Sequence, residues 1–210
     1  MTTFPYDEGY FTKLYAKRFY RWYLGVRNKF IRDIVTHYVP SGRFLEIGFG
    51  DDNLCKHFLD SFDVHGVDIS EFAVSQIRRS YEPGRFQVCD VCKEDIPFSG
   101  GFDVICAVNT VEHFADPAAA LANVSRSLKT GGIFVAYLPT ASNLVSRLQY
   151  RLFYDVREHV FRPSVASLNN LLSSLGLYKM EEYIASFLPA RVTNRWVINS
   201  FNLYLGVWGK

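Results

Sequence analysis

The segment Glu46-Ile47-Gly48-Phe49-Gly50-Asp51-Asp52-Asn53 concentrates three acids and two glycines in eight residues. Glycines let a backbone approach a ligand closely, and a helix opening behind them presents unpaired N–H groups to the same space. Asp68 follows Gly48 by 20 residues. A carboxylate so placed, at the end of the next strand, can accept hydrogen bonds from ribose hydroxyls. The glycine turn alone is a weak signal. Joined to such an acid, it points to an adenosine-bearing cofactor.

Charge selects among such cofactors. The dinucleotide pattern GxGxxG needs a third glycine where this chain has Asn53. A pyrophosphate would sit at the helix entrance, which Asp51 and Asp52 occupy. Carboxylates there suit the helix dipole but repel a bound anion. With Glu46, they suit a ligand without phosphate that carries ammonium and sulfonium charge. S-adenosylmethionine is favoured over NAD(P).

A second group lies further along. Glu112-His113 and Asp116 follow the apolar run 102–108, and His159 follows Arg157-Glu158. Histidine titrates near neutrality, so His113 and His159 are the candidate catalytic bases or acceptor-orienting groups. Both keep a plainer reading, as a brace for the next helix or a structural residue. His37, His57 and His65 lack this context and read as structural or solvated. Cys89 and Cys92 match CxxC, but no second ligand pair at zinc spacing accompanies them, so no metal site is expected.

Positioning these groups requires strands that alternate with helices. Runs rich in β-branched and aromatic residues cover 43–47, 64–68, 85–89, 102–108 and 133–138. Between them, 53–60, 71–80 and 117–128 have helix length, with Lys129-Thr130-Gly131-Gly132 as a helix stop. Helices are also expected over 142–153 and 164–175, and strands over 177–184 and 201–208. That alternation calls for a parallel sheet covered on both faces. Residues 10–39 place aromatic and aliphatic groups at helical spacing among seven lysines and arginines, and end at Pro40-Ser41-Gly42. This helical segment is either a cap packed on the core or a basic, aromatic face that meets a membrane or amphiphile. No linker or repeat divides the chain. The expected organisation is one domain over 1–210, with a cap (1–40), a cofactor-binding core (42–138) and acceptor-side helices and final strands (139–210).

Taken in order, several motifs resemble class I S-adenosylmethionine-dependent methyltransferases, and among them the small-molecule branch. They are Leu45-Glu46-Ile47-Gly48-Phe49-Gly50, Gly66-Val67-Asp68-Ile69-Ser70, Val88-Cys89-Asp90, Phe102-Asp103-Val104-Ile105, Val111-Glu112-His113 with Asp116-Pro117, and Arg126-Ser127-Leu128-Lys129-Thr130-Gly131-Gly132. The resemblance implies a Rossmann-like α/β fold: a seven-stranded, mostly parallel sheet with helices on both faces and an antiparallel last strand. It implies that Glu46, Gly48 and Gly50 line the methionine portion of S-adenosylmethionine, and that the product is S-adenosylhomocysteine. Asp68 would hold the ribose, Ile69 would pack on the adenine, and Asp90 and Val91 would bind the adenine edge. Asn109 would meet the ammonium through its carbonyl, and Tyr10 would close over the cofactor. Relatives carry a third glycine where Asp52 stands. That departure leaves a catalytically inactive binding or scaffold protein as the alternative.

The remaining features narrow the acceptor. Lysine plus arginine (23) nearly balance aspartate plus glutamate (21), so no overall field draws the chain to nucleic acid. Asn109-Thr110-Val111-Glu112 also differs from the Asn/Asp-Pro-Pro-Tyr/Phe element of amino-methylating nucleic-acid enzymes. Glu112 with Asp116 does not supply the carboxylate cluster of catechol-type magnesium enzymes. An oxygen, nitrogen or carbon nucleophile of a metabolite, glycan, quinone or lipid-linked acceptor remains. The four cysteines, the polar N-terminus and the lack of a spanning apolar run give a cytoplasmic expectation.

Overall fold

Phe102–Val108 reads FDVICAV, apolar at nearly every position, because it is an interior strand with both faces covered. In the computed structural model, residues 18–50, 54–82, 85–142, 158–184 and 203–210 are described, with short stretches at 7, 9, 144, 147–148, 151, 191–192 and 195–196. The elements in chain order are α1 (Arg18–Tyr38), β1 (Gly42–Ile47), β2 (Phe62–Asp68), α2 (Glu71–Ile77), β3 (Phe86–Val88), β4 (Phe102–Val108) and α3 (Pro117–Ser127). Then follow β5 (Leu128–Pro139), α4 (Val165–Ser174), β6 (Tyr178–Ile184), β7 (Arg191–Val192), β8 (Arg195–Trp196) and β9 (Leu203–Gly209). Seven strands form one sheet in the order β3-β2-β1-β4-β5-β9-β6. The first five are parallel, and β9 runs antiparallel to both of its neighbours. β7 and β8 form a separate two-stranded ladder. The mostly parallel seven-stranded sheet and antiparallel last strand match the sequence-based expectation.

Alternation along each interior strand builds two cores. Phe44, Val104, Cys106, Val135 and Val207 face one side, where Ile31, Ile34 and Val35 of α1 and Ala73, Val74 and Ile77 of α2 cover them. Leu45, Ile105, Phe134, Ala136 and Trp208 face the other, under Leu121 and Val124 of α3 and Leu168 and Leu172 of α4. A side-chain period of two permits this double burial. Within β9, Tyr204 and Trp208 share one face, and the Trp208 Nε1–H donates to Tyr204 Oη at 3.1 Å. Gly206 lies between them, where a Cβ would overlap both side chains.

Three expectations needed correction. The helix expected over 53–60 is a single 3-10 turn, Leu54–His57. Its brevity follows from the packing: Phe58 stacks on Phe44 with ring centroids 4.2 Å apart, and β2 already begins at Phe62. The helix expected over 71–80 ends at Ile77, with tight i→i+3 bonds to Arg79 and Ser80. The glycines expected to stop a helix before a strand at 133 instead lie inside β5, which starts at Leu128 opposite Phe102 and absorbs them at a register shift. The helix expected over 142–153 falls largely outside the described residues.

The chain order reverses between β1 and β4, since β2 and β3 lie to one side and β5 to the other. A parallel sheet opens a crevice at the carboxyl ends of the strands at such a point. The chemistry-bearing residues converge there.

Candidate functional site

β1 leaves the sheet through Gly48, whose φ of +69° favours glycine, and β4 leaves through Asn109, at φ +51°. The two turns are latched together. Thr110 Oγ1 donates to the Gly48 carbonyl at 3.2 Å, and a Cβ on residue 48 would overlap the Thr110 side chain. The Gly48 N–H donates to the Val67 carbonyl at 2.7 Å, which ties the same turn to β2. Beside it, Asp68 is buried: Oδ2 accepts from the Gly50 N–H at 2.9 Å and Oδ1 from the Ser70 N–H at 2.8 Å. Burial pushes the Asp68 pKa up, and these amide donors oppose it. Each oxygen has a further lone pair with which to accept a ligand hydroxyl.

Glu46, at the end of β1, is 2% exposed, and its Oε2 accepts from the Cys55 N–H at 2.7 Å. Burial raises its pKa to about 7, against the Cys55 N–H and the charge of Arg27. Ile69 is 46% exposed directly after Asp68, an apolar face left open at the crevice. Asp90 Oδ1 accepts from the Cys92 N–H at 3.1 Å, while Oδ2 pairs with Lys93 Nζ at 2.6 Å. Val91 is buried in the second core, so its backbone is what it can offer a ligand. Asn109 donates its N–H to the Tyr137 carbonyl at 2.7 Å. Tyr10, and the loop carrying Asp51, Asp52 and Asn53, lie outside the described residues.

Beyond β4, His113 and His159 come together with ring centroids 4.7 Å apart and planes at 75°. The loop after β4 is tied to the segment before α4 by two bonds. The Nδ1–H of His113 donates to the Glu158 carbonyl at 3.0 Å, and the Phe161 N–H donates to the Glu112 carbonyl at 3.0 Å. Burial lowers the His113 pKa, with the Glu158 bond opposing, so the imidazole is neutral at pH 7. Burial likewise drives Glu112 up to about 8. Asp116 is spent as the N-cap of α3, accepting from the Ala119 N–H at 3.0 Å. His37 packs edge-on against Tyr38, and His65 approaches Asp63 at 3.1 Å between Phe98 and Phe102.

The sequence reading missed Arg27 and Asn28. Arg27 is one of the seven lysines and arginines of the N-terminal helical segment, which the sequence alone does not single out. In the fold Arg27 is only 5% exposed, donates through Nε and Nη2 to Asn28 Oδ1, and lies 5.8 Å from the Tyr137 ring. Its charge acts on both Glu46 and Glu112. A signal for this was present. Leu24, Arg27, Asn28, Ile31, Ile34 and Val35 form one helical stripe, and the apolar members mark it as the buried face. Trp22, in the same helix, is 52% exposed, and no helix among the described residues is long and apolar enough to cross a membrane.

These residues fit S-adenosylmethionine. The turn at Gly48 leaves no room for a side chain, the buried Asp68 carboxylate beside it is of a kind that can accept from ribose hydroxyls, and an exposed isoleucine adjoins it. Residues 18–182 match a family model described as a methyltransferase domain. The chain is 32% identical over 111 residues to a ubiquinone biosynthesis O-methyltransferase of Bradyrhizobium sp. (strain ORS 278), a match covering 51% of this chain and 44% of that protein. The match thus spans less than half the length of that relative. A TehB-like SAM-dependent methyltransferase from Corynebacterium glutamicum superposes with a TM-score of 0.67 at 16% identity, covering 97% of this chain and 100% of the other. Magnesium protoporphyrin IX methyltransferase from Synechocystis PCC 6803 with bound SAH gives 0.63 at 14% identity, over 88% and 84%. At those identities the structural likeness speaks to the fold.

Proposed function

The chain belongs to the class I S-adenosylmethionine-dependent methyltransferases, and we propose that it moves a methyl group to an oxygen, nitrogen or carbon nucleophile of a small organic acceptor. The observation that carries this reading is the junction of β1 and β4, where Gly48 is closed to any side chain by Thr110 beside the buried Asp68 carboxylate. When bound, the cofactor supplies an electrophilic methyl group on a sulfonium. Gly48 and Gly50 would shape the floor for its methionine portion under Glu46, with Asn109 offering its carbonyl. Asp68 would accept from the ribose, Ile69 would cover the adenine, and Asp90 with the Val91 backbone would meet its edge.

The chain's part in transfer is mostly alignment, which can supply several kcal/mol of the barrier without covalent chemistry. The Glu158 carbonyl fixes the His113 proton on Nδ1, which leaves Nε2 as the lone-pair nitrogen able to take a proton from an acceptor hydroxyl. His159, edge-on to His113, would orient the same group. A cleft of about 440 Å³, lined by Ala141, Arg147, Arg162 and Ser164, lies beyond β5 and supports a polar or anionic acceptor. The named activity of the Bradyrhizobium relative favours oxygen as the methylated atom.

The test is isothermal titration with S-adenosylmethionine and S-adenosylhomocysteine, with NADH and NADPH as controls. Both adenosyl ligands should bind. Asp68→Ala should weaken them about 100-fold, the loss expected for two charge-assisted hydrogen bonds, and Asp68→Asn about 10-fold. Binding of a nicotinamide with neither adenosyl ligand would overturn the reading.

A further inference from the structure

We propose that Glu112, His113 and His159 form a site for one divalent transition-metal ion, of the zinc class, beyond the carboxyl end of β4. The carboxylate oxygen and the two imidazole nitrogens all lie within 4.8 Å of one another. Ligand atoms around a tetrahedral ion with ~2.1 Å bonds are ~3.4 Å apart, so small side-chain rotations would close the set. Two imidazoles and one carboxylate are a donor set for zinc, cobalt or iron, and a poor one for magnesium, which prefers oxygen. This departs from the sequence-based expectation of no metal, which weighed Glu112 only against Asp116.

Two further observations point to a ligand. Glu112 is 1% exposed, and its Oε2 has no hydrogen-bond partner among the described residues. A carboxylate oxygen buried in that way costs free energy unless a cation or donor meets it. His113 already has the outer-shell bond typical of metal-bound histidine: its Nδ1–H donates to the Glu158 carbonyl, which aims the Nε2 lone pair away from the backbone. The two arms of the site are fixed to each other by the Phe161 N–H, which donates to the Glu112 carbonyl. The Arg27 charge also acts on Glu112 and favours its ionised form, the form that can ligate a cation.

Three protein ligands leave the fourth coordination position open, as in catalytic zinc sites. An acceptor hydroxyl bound there would lose its proton more readily, because the ion stabilises the alkoxide or phenolate. In that arrangement the histidines act through the metal rather than as free bases. This acceptor role rests on the methyl-transfer reading, whereas the cation site stands without it.

The experiment uses untagged protein stripped by a chelator and titrated with Co²⁺ and Zn²⁺, while S-adenosylhomocysteine binding is followed in parallel. One Co²⁺ per chain should bind with visible d–d absorption, hyperfine-shifted imidazole resonances from two histidines should appear, and Zn²⁺ should displace the ion. Glu112→Gln and His159→Gln should each weaken uptake at least ~10-fold and leave S-adenosylhomocysteine affinity unchanged. Absence of stoichiometric uptake, or shifted resonances from no histidine, would overturn the site in the wild-type protein, whatever the variants do. Uptake undiminished in both variants would overturn it too. Failure of metal uptake with intact S-adenosylhomocysteine binding rejects the cation site alone. Uptake without S-adenosylhomocysteine binding rejects the cofactor reading alone.

Discussion

The two halves of the crevice treat their buried carboxylates differently. On the β1–β2 side, Glu46 and Asp68 are met by nearby backbone amides: Cys55 for the first, Gly50 and Ser70 for the second. On the β4 side, Glu112 has one oxygen without a partner among the described residues, and a segment 45 residues away reaches the neighbouring His113 through Glu158. The first arrangement draws these amide donors from consecutive strand–turn units, as the proposed cofactor cradle requires. The second is completed by tertiary contact, and its oxygen without a partner among the described residues is the observation behind the proposed cation site. A preformed cofactor cradle beside an acceptor side built from two loops lets one scaffold keep its cofactor while the acceptor chemistry varies.

Breaking the cradle should have the largest effect. Gly48→Ala sets a Cβ against Thr110 at φ +69°. Strain and overpacking together should cost about 3 kcal/mol, a fall in Tm of about 6–12 °C by calorimetry. Adding Thr110→Ala should recover the steric part and leave the backbone part.

The next effect is the pH dependence that Glu46 contributes. The Glu46 pKa rises from 4.5 to about 7 on folding, chiefly through burial. The native state therefore holds a proton that the unfolded chain releases. The associated stability is complete below about pH 4.5 and is lost as pH rises through about 7. Glu46→Gln keeps an oxygen for the Cys55 N–H and does not titrate. Relative to wild type, this variant should gain stability across that window, levelling above pH 7 at on the order of 3 kcal/mol. A pH-independent difference in Tm between the two proteins would show that Glu46 is ionised in the fold throughout.

The smallest effect sharpens the acceptor side. Asp116 caps α3 and has no part in the Glu112 cluster, so Asp116→Ala should cost about 1 kcal/mol, a fall in Tm of about 2–4 °C. Cobalt uptake and S-adenosylhomocysteine binding should both stay at wild-type values. Loss of metal uptake in this variant would enlarge the cluster to include Asp116.

The cradle was legible in the linear sequence because its grammar is short-range. A strand ending in Glu46, the turn at Gly48 and Gly50, and an acid 20 residues on follow from period-two burial and glycine conformation, and the fold places them as read. Errors arose where local propensity met packing. Residues 53–60 have helix length, yet Phe58 must reach Phe44, and β2 must start at Phe62. Arg27 does not stand out from the other bases of its helix because a charge suggests solvent, although its place in the stripe of Leu24 and Ile31 assigns it to the buried face.

The alternation of strand and helix, the crevice at the end of β1 and the charge preference of the cofactor turn were all present in the one-dimensional pattern, since each depends on residues within one supersecondary unit. The meeting of His113 with His159, the Glu112 oxygen without a partner among the described residues and the burial of Arg27, whose charge acts on two carboxylates, were not. They depend on how the segment before α4 folds back over the end of β4 and how α1 lies across the sheet. Such contacts are set by the packing of distant elements, and no local periodicity encodes them.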